Sequence, residues 1–92
     1  MVTQDKKPDV DALVHEALSS SLYVYNDNHN SFKKIIFTFM NVLGHGLVQA
    51  EQCALIIHNV GKCCVKRDSY DVLVKIKEAF DEMNIKSEIE RK

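Results

Sequence analysis

Apolar residues recur at helical spacing between Phe32 and Leu43, at positions 32, 35, 36, 39, 40 and 43. This spacing predicts an amphipathic helix with a wide apolar face. Ser31 or Asn30 precedes the segment as a candidate N-cap, because their side chains accept hydrogen bonds from free backbone N–H groups. Gly44 follows the last apolar position, where a glycine commonly ends a helix.

Two further segments have the same period. Leu47 to Val60 carries apolar residues at 47, 50, 53, 54 and 57, widened by Leu55 and Ile56, and Gly61 follows it. A third helix is predicted to begin after Ser69 as its N-cap. Its predicted inner stripe consists of Val72, Ile76, Ala79, Phe80 and Met83.

Three short segments predict strands. Leu22 to Tyr25 is β-branched and aromatic, and it runs into a polar loop of residues 26–31. Lys62 to Arg67 is short and mostly small or β-branched, and Ile85 to Glu90 alternates as an edge strand does. The element order predicts an α+β fold, a two-layer βααβαβ domain whose three-stranded antiparallel sheet packs against helices.

The chain is predicted to divide into a flexible N-terminal tail, residues 1–20, and a single folded domain, residues 21–92. The tail holds the only proline, Pro8, and the beginning of the serine run 19–21. A helical pattern within residues 11–18 is too short to be stable alone in water.

Composition and charge exclude several classes of protein. The 92 residues allow one small domain, and 12 basic against 13 acidic residues give a net charge of −1. That balance argues against a protein that neutralises nucleic-acid phosphates, and the short basic run Lys62, Lys66 and Arg67 is typical of a solvated face. No segment has the roughly 20 apolar residues of a membrane span. The N-terminal segment has no apolar run typical of a secretory signal, so we expect a cytoplasmic protein.

The three cysteines, Cys53, Cys63 and Cys64, leave one alternative of another class open. Together with His58 they could serve a metal- or thiol-dependent enzyme, although their spacing matches no standard zinc site. The favoured interpretation is that they are small buried apolar side chains, kept as free thiols in a reducing compartment.

Polar and apolar residues are expected to converge at one end of the first helix pair. The loop before the first helix lies near the end of the second when the two pack antiparallel. Asn26, Asp27 and His58 would then share a rim above an apolar floor, the usual form of a ligand site. The floor is predicted to consist of Phe32, Ile35, Ala54 and Ile57.

Two motifs at a fixed separation resemble the ClpS family. The first is the string Val24-Tyr25-Asn26-Asp27, and the second is Ile57 to Lys62, in which His58 follows Asp27 by 31 positions. The pattern of that family is an apolar strand into Asn-Asp, a helix, and a second helix ending in apolar-His-x-x-Gly-Lys. The resemblance runs without a gap from Leu22 to about Ser69 and more loosely to Ile89.

The resemblance implies a function and its partners. ClpS proteins are bacterial adaptors without enzymatic activity that hold the N-terminal residue of an N-degron substrate and hand the substrate to a Clp AAA+ unfoldase. The expected partners here are N-degron N-termini and a ClpA- or ClpC-like unfoldase, with neither a cofactor, a nucleic acid nor a membrane. The resemblance also implies a monomer.

The resemblance assigns roles to individual residues. Asn26 and His58 would accept hydrogen bonds from the substrate α-ammonium group, which has donors only. Asp27 would add negative charge and orient the peptide backbone, and Asn30 would border the peptide. The side-chain pocket would be lined by Val24, Phe32, Ile35, Ala54 and Ile57.

The chain departs from the family pattern in its pocket and loop. Phe32 and Ala54 stand where the family has methionines, and residues 28–31 replace an acidic residue followed by Thr-Pro. These changes affect side-chain specificity more than amine recognition. They leave a second alternative open, a divergent ClpS-like protein that binds an unfoldase or another partner without recognising N-degrons.

Overall fold

The computed structural model describes residues 19–91, and they confirm the predicted βααβαβ order. The elements are β1 (Ser20–Tyr25), α1 (Phe32–Leu43), α2 (Leu47–Val60), β2 (Lys62–Asp68), α3 (Tyr70–Glu82) and β3 (Ser87–Arg91). The predicted tail lies outside the described residues, except for its last two positions. Within the described residues, no helix is long and apolar enough to cross a membrane.

The sheet places β1 in the centre, antiparallel to β2 on one side and to β3 on the other. Strand β1 begins at Ser20 rather than at the predicted Leu22, because Ser20 pairs with both Asp68 and Arg91. Leu22 and Val24 are fully buried, as expected for alternate residues that face a core.

The last strand starts two residues later than predicted. Ile85 belongs to the turn after α3, where its backbone N–H donates to Phe80 O at 2.9 Å. Its side chain is 1% exposed, so it contributes to the core from the turn. An alternating pattern marks which side chains are buried but not where strand pairing begins.

The helices build one layer over the sheet. Helix α2 packs on β2, α3 packs on β3 and β1, and α1 packs on α2. The fully buried Phe39 of α1 contacts the fully buried Phe80 of α3, with ring centroids 6.2 Å apart. This arrangement leaves the start of α1 beside the end of α2.

Helix ends follow the sequence signals in most places. Ser31 Oγ accepts a hydrogen bond from Lys34 N at 3.0 Å, as an N-cap does. Gly44 and Gly61 have φ values of 73° and 109°, which only glycine adopts without strain. Ser69 is in the N-cap position of α3, but its side chain makes no capping bond.

Two predicted apolar stripes were wrong in part. Leu47, Leu55 and Ile56 of α2 are 43–53% exposed, because among the described elements β2 and α1 pack against a different face of α2. In α3, Val72 is 39% exposed and its neighbour Leu73 is fully buried. The face of α3 toward the sheet is therefore centred on Leu73 and Phe80, which lie seven residues apart.

Candidate functional site

One pocket of about 450 Å³ opens where β1, α1 and α2 meet. Polar side chains from the loop after β1 stand on one side of it, and apolar side chains of the two helices on the other. Its lining residues are Asn26, Asp27, Asn28, Asn30, Phe32, Ile35, Ala54, Ile57 and His58. A pocket of this size, apolar with a few polar groups, is typical of a small-ligand site.

Backbone hydrogen bonds bring the two motifs together. Asn26 follows the last residue of β1, and its N–H donates to Gly61 O at 2.9 Å. Gly61 ends α2, and His58 lies three residues before it on the last turn. The end of the central strand and the end of α2 are thereby held side by side, which places Asn26 and His58 on one pocket.

The apolar side chains of the pocket lie at different depths. Ala54 and Ile57 are 3% and 4% exposed and lie on the inner face of α2, while Ile35 of α1 is half-buried. Phe32, the first residue of α1, is 43% exposed. The small Ala54 side chain therefore leaves space in the depth of the pocket, and the large Phe32 side chain stands at its mouth.

Asp27 holds the loop in place with its own carboxylate. Oδ1 accepts hydrogen bonds from the backbone N–H groups of His29 at 2.8 Å and Asn30 at 3.0 Å. Oδ2 accepts from Asn30 Nδ2 at 2.9 Å. Partial burial by itself raises the pKa of Asp27, but these three hydrogen bonds and the nearby His29 ring outweigh it and lower the pKa. The carboxylate is therefore a fixed negative charge at the pocket.

The side chains of Asn26 and His58 are open to a ligand. Both residues are exposed, and within residues 19–91 neither side chain donates or accepts a hydrogen bond. The Asn26 amide oxygen and an unprotonated imidazole nitrogen are acceptors, so they can receive N–H donors. Together with the charge of Asp27 they suit a cationic group that has only donors.

The predicted site residues gather on this pocket with one exception. Val24, predicted to line it, is fully buried in the hydrophobic core and does not reach the pocket. Val24 does not line the pocket because its side chain points inward, beneath the helices. One lining residue was missed: Asn28 is exposed, and its place in the polar loop between two predicted site residues was the available signal.

Two of the three cysteines are packed as apolar side chains, and Cys64 is half-buried. Cys53 and Cys63 are 9% and 8% exposed and belong to the core. Burial, followed by the adjacent Cys53 and Cys64 thiols, raises the pKa of Cys63 to about 12, which disfavours a reactive thiolate. In the described part of the chain, no three His, Cys, Asp or Glu side chains are grouped as a metal site would require. The burial and raised pKa of Cys63 give no support to a nucleophilic role for this thiol.

Both lysines of the basic run have neighbours on the sheet, while Arg67 is exposed. Lys62 Nζ lies 5.1 Å from the centroid of the Tyr23 ring, and Lys66 Nζ lies 3.8 Å from Asp68 Oδ2. These lysines are engaged with neighbours on the sheet, so the run gives no support to nucleic-acid binding.

Comparison with known proteins agrees with the geometry. The family model described as "ATP-dependent Clp protease adaptor protein ClpS" matches residues 18–88. Among solved structures, the fold is similar to that of Agrobacterium tumefaciens ClpS2 bound to L-phenylalaninamide, with a TM-score of 0.74 and 15% sequence identity. That match covers 79% of this chain and 95% of the other. The comparison with curated proteins gave no match.

Proposed function

Because the chain belongs to the ClpS family, we propose that it is a non-enzymatic adaptor that binds the N-terminal residue of N-degron substrates. The observation that carries the proposal is one pocket that joins Asn26, Asp27 and His58 to an apolar floor. An N-terminal amino acid has the complementary form, with an ammonium group and a side chain on the same carbon atom. Capture of an N-terminal amine is an established mode of peptide recognition.

In this proposal the polar rim binds the ammonium group. The Asn26 amide oxygen and a neutral His58 imidazole each accept one N–H, and the Asp27 carboxylate supplies negative potential. Asn30 borders the peptide backbone where it leaves the pocket. Hydrogen bonds between a charged and a neutral partner are the stronger kind, so this rim contributes much of the affinity.

The apolar floor receives the first side chain. Ile35, Ala54 and Ile57 form the depth of the pocket, and Phe32 covers its mouth. The bulky apolar residues Phe and Leu are the expected ligands. The support from outside this chain is that the similar ClpS2 structure holds L-phenylalaninamide, which carries a free α-amino group and a phenyl ring.

The proposal extends to delivery of the bound substrate. A Clp AAA+ unfoldase of the ClpA or ClpC kind is the proposed recipient, supported by the family description as a Clp protease adaptor. We propose that the protein acts in the cytoplasm as a monomer, which leaves the pocket rim free for the substrate.

Replacing Ala54 by Met tests whether the floor sets side-chain preference. We expect Ala54→Met to weaken binding of Trp-initiated peptides several-fold more than binding of Leu-initiated peptides, because the added atoms fill the depth of the pocket. The measurement is a fluorescence titration of both peptides on the parent protein and the variant. Leu55→Met, at an exposed position of the same helix, is the matched control. An unchanged Trp-to-Leu ratio would place Ala54 outside the ligand site and refute this assignment of the floor.

A further inference from the structure

The amine-binding loop, residues 26–31, is joined to a part of the chain more than fifty residues away. Asn30 Nδ2 donates to Asn84 O at 2.9 Å, in the turn between α3 and β3. The same nitrogen donates to Asp27 Oδ2 at 2.9 Å. A side-chain amide has two N–H groups, so both are used, one toward the pocket carboxylate and one toward the turn.

The orientation of this amide is determined by its surroundings. Turned the other way, its oxygen would face the Asp27 carboxylate and the Asn84 carbonyl, both of which are acceptors. In the observed orientation Asn30 Oδ1 is buried and has no hydrogen-bond partner. Since a buried acceptor without a partner is unfavourable, the two donated bonds must outweigh that cost.

A second contact reaches the same turn. Lys34 Nζ, one helical turn after Asn30, donates to Met83 O at 2.7 Å. The turn itself has a defined backbone, since Asn84 has a φ of 60°. That left-handed conformation is one that asparagine and glycine tolerate best. Residues 83–84 therefore present two carbonyl groups to the loop and to α1.

We propose that Asn30 is a positioning residue that braces the Asp27 carboxylate against the Met83–Asn84 turn, which makes this turn part of amine recognition. The proposal rests on the proposed function and deepens it. Asp27 Oδ1 accepts both of its hydrogen bonds from the loop backbone, and among residues 19–91 the Asn30 side chain is the one group that links the carboxylate to the turn. Without that connection, the Asp27 carboxylate could move relative to Asn26, which is bonded to Gly61, and to His58 on the last turn of α2.

The main test removes the brace and measures affinity. We expect Asn30→Ala to weaken binding of a Phe-initiated peptide about fivefold, because the carboxylate is no longer held at the pocket. Asn41→Ala is the matched control: the Asn41 side chain also donates to a backbone carbonyl, Phe37 O, but on an exposed part of α1. Equal binding by Asn30→Ala and Asn41→Ala would overturn the proposal.

A second readout does not need a ligand. The side-chain hydrogen bond of Asn30 is among the causes that lower the pKa of Asp27, so Asn30→Ala should raise it. The carboxyl carbon of Asp27, followed by NMR against pH, reports that pKa directly. The other titratable groups around the loop and turn are not altered by the variant, and they are His29, His58, Lys34, Asp81 and Lys86.

The two readouts separate this proposal from the function on which it rests. If the parent fails to bind the peptide but the pKa of Asp27 rises in Asn30→Ala, the positioning role of Asn30 is supported and the proposed adaptor function is contradicted. If the parent binds and neither affinity nor the pKa of Asp27 responds, the brace is wrong. Lys34→Met removes the other contact with the turn but keeps both Asn30 bonds, so it should lose less affinity than Asn30→Ala, and an equal or larger loss would contradict the assignment of the brace to Asn30.

Discussion

Acetylation of the α-amino group is expected to weaken the binding of a Phe-initiated peptide by about a hundredfold or more. Acetylation removes the positive charge and leaves one N–H where the ammonium had three. Each lost charge-assisted bond costs about 1.5–3 kcal/mol, or about tenfold or more in affinity. The proposed pocket offers two acceptors for such bonds, Asn26 and His58. The measurement is a fluorescence titration of the peptide and its acetylated twin at pH 7.

The matched control for acetylation is the same modification elsewhere on the peptide. A lysine placed at the fourth position and acetylated on its side chain loses one positive charge but retains the free α-amino group. Its binding should remain within about twofold of the parent peptide, since an exposed charge contributes little. If the N-terminal acetyl group had no larger effect than the side-chain acetyl group, amine recognition by Asn26, Asp27 and His58 would be refuted.

Binding is also expected to have a maximum near neutral pH that depends on His58. An imidazole accepts a hydrogen bond only when one ring nitrogen is unprotonated. Affinity should therefore fall in acid, where both ring nitrogens carry protons. At high pH it should fall again, because a free α-amino group loses its charge near pH ~7.7–8.0.

We assign the loss of affinity in acid to His58, because the other candidate group, the Asp27 carboxylate, does not change its charge there. The pKa of Asp27 lies below its ordinary value, so its carboxylate stays charged from pH 5 to 9 and cannot produce the decrease. We expect His58→Ala to bind about tenfold more weakly at pH 7 and to lose the acid decrease. His29→Ala, which changes an exposed histidine on the same loop, should retain it. An unchanged acid decrease in His58→Ala would show that His58 is not the acceptor.

The fold could be predicted from the sequence because the helix periods and the turn residues indicate the same element bounds along the chain. The apolar spacing from Phe32 to Leu43, bounded by Ser31 and Gly44, predicted the exact bounds of α1. Those signals are local, since a capping side chain and a left-handed glycine act within one turn of the helix. Strand ends were harder to predict from the sequence. β1 extends back to Ser20 because it pairs with two other strands, and no local pattern encodes that pairing.

The candidate site could be predicted from the sequence as far as it follows from helix packing. The expectation that the loop after β1 lies near the end of α2 placed Asn26, Asp27 and His58 on one pocket. Val24 was predicted to line the pocket but is buried in the core, because the motif gives its position in the strand and not the direction of its side chain. The contact between Asn30 and Asn84 spans 54 positions and depends on the fold of the turn after α3, so it required the structure.

The most direct test of the adaptor account is a titration with peptides that differ only in their first residue. We predict micromolar binding for peptides with Phe or Leu at that position. Gly should bind about tenfold or more weakly, because burying a large apolar side chain contributes roughly 1.5–3 kcal/mol. Equal affinity across the series, or no binding of any member, would contradict N-terminal recognition by this pocket.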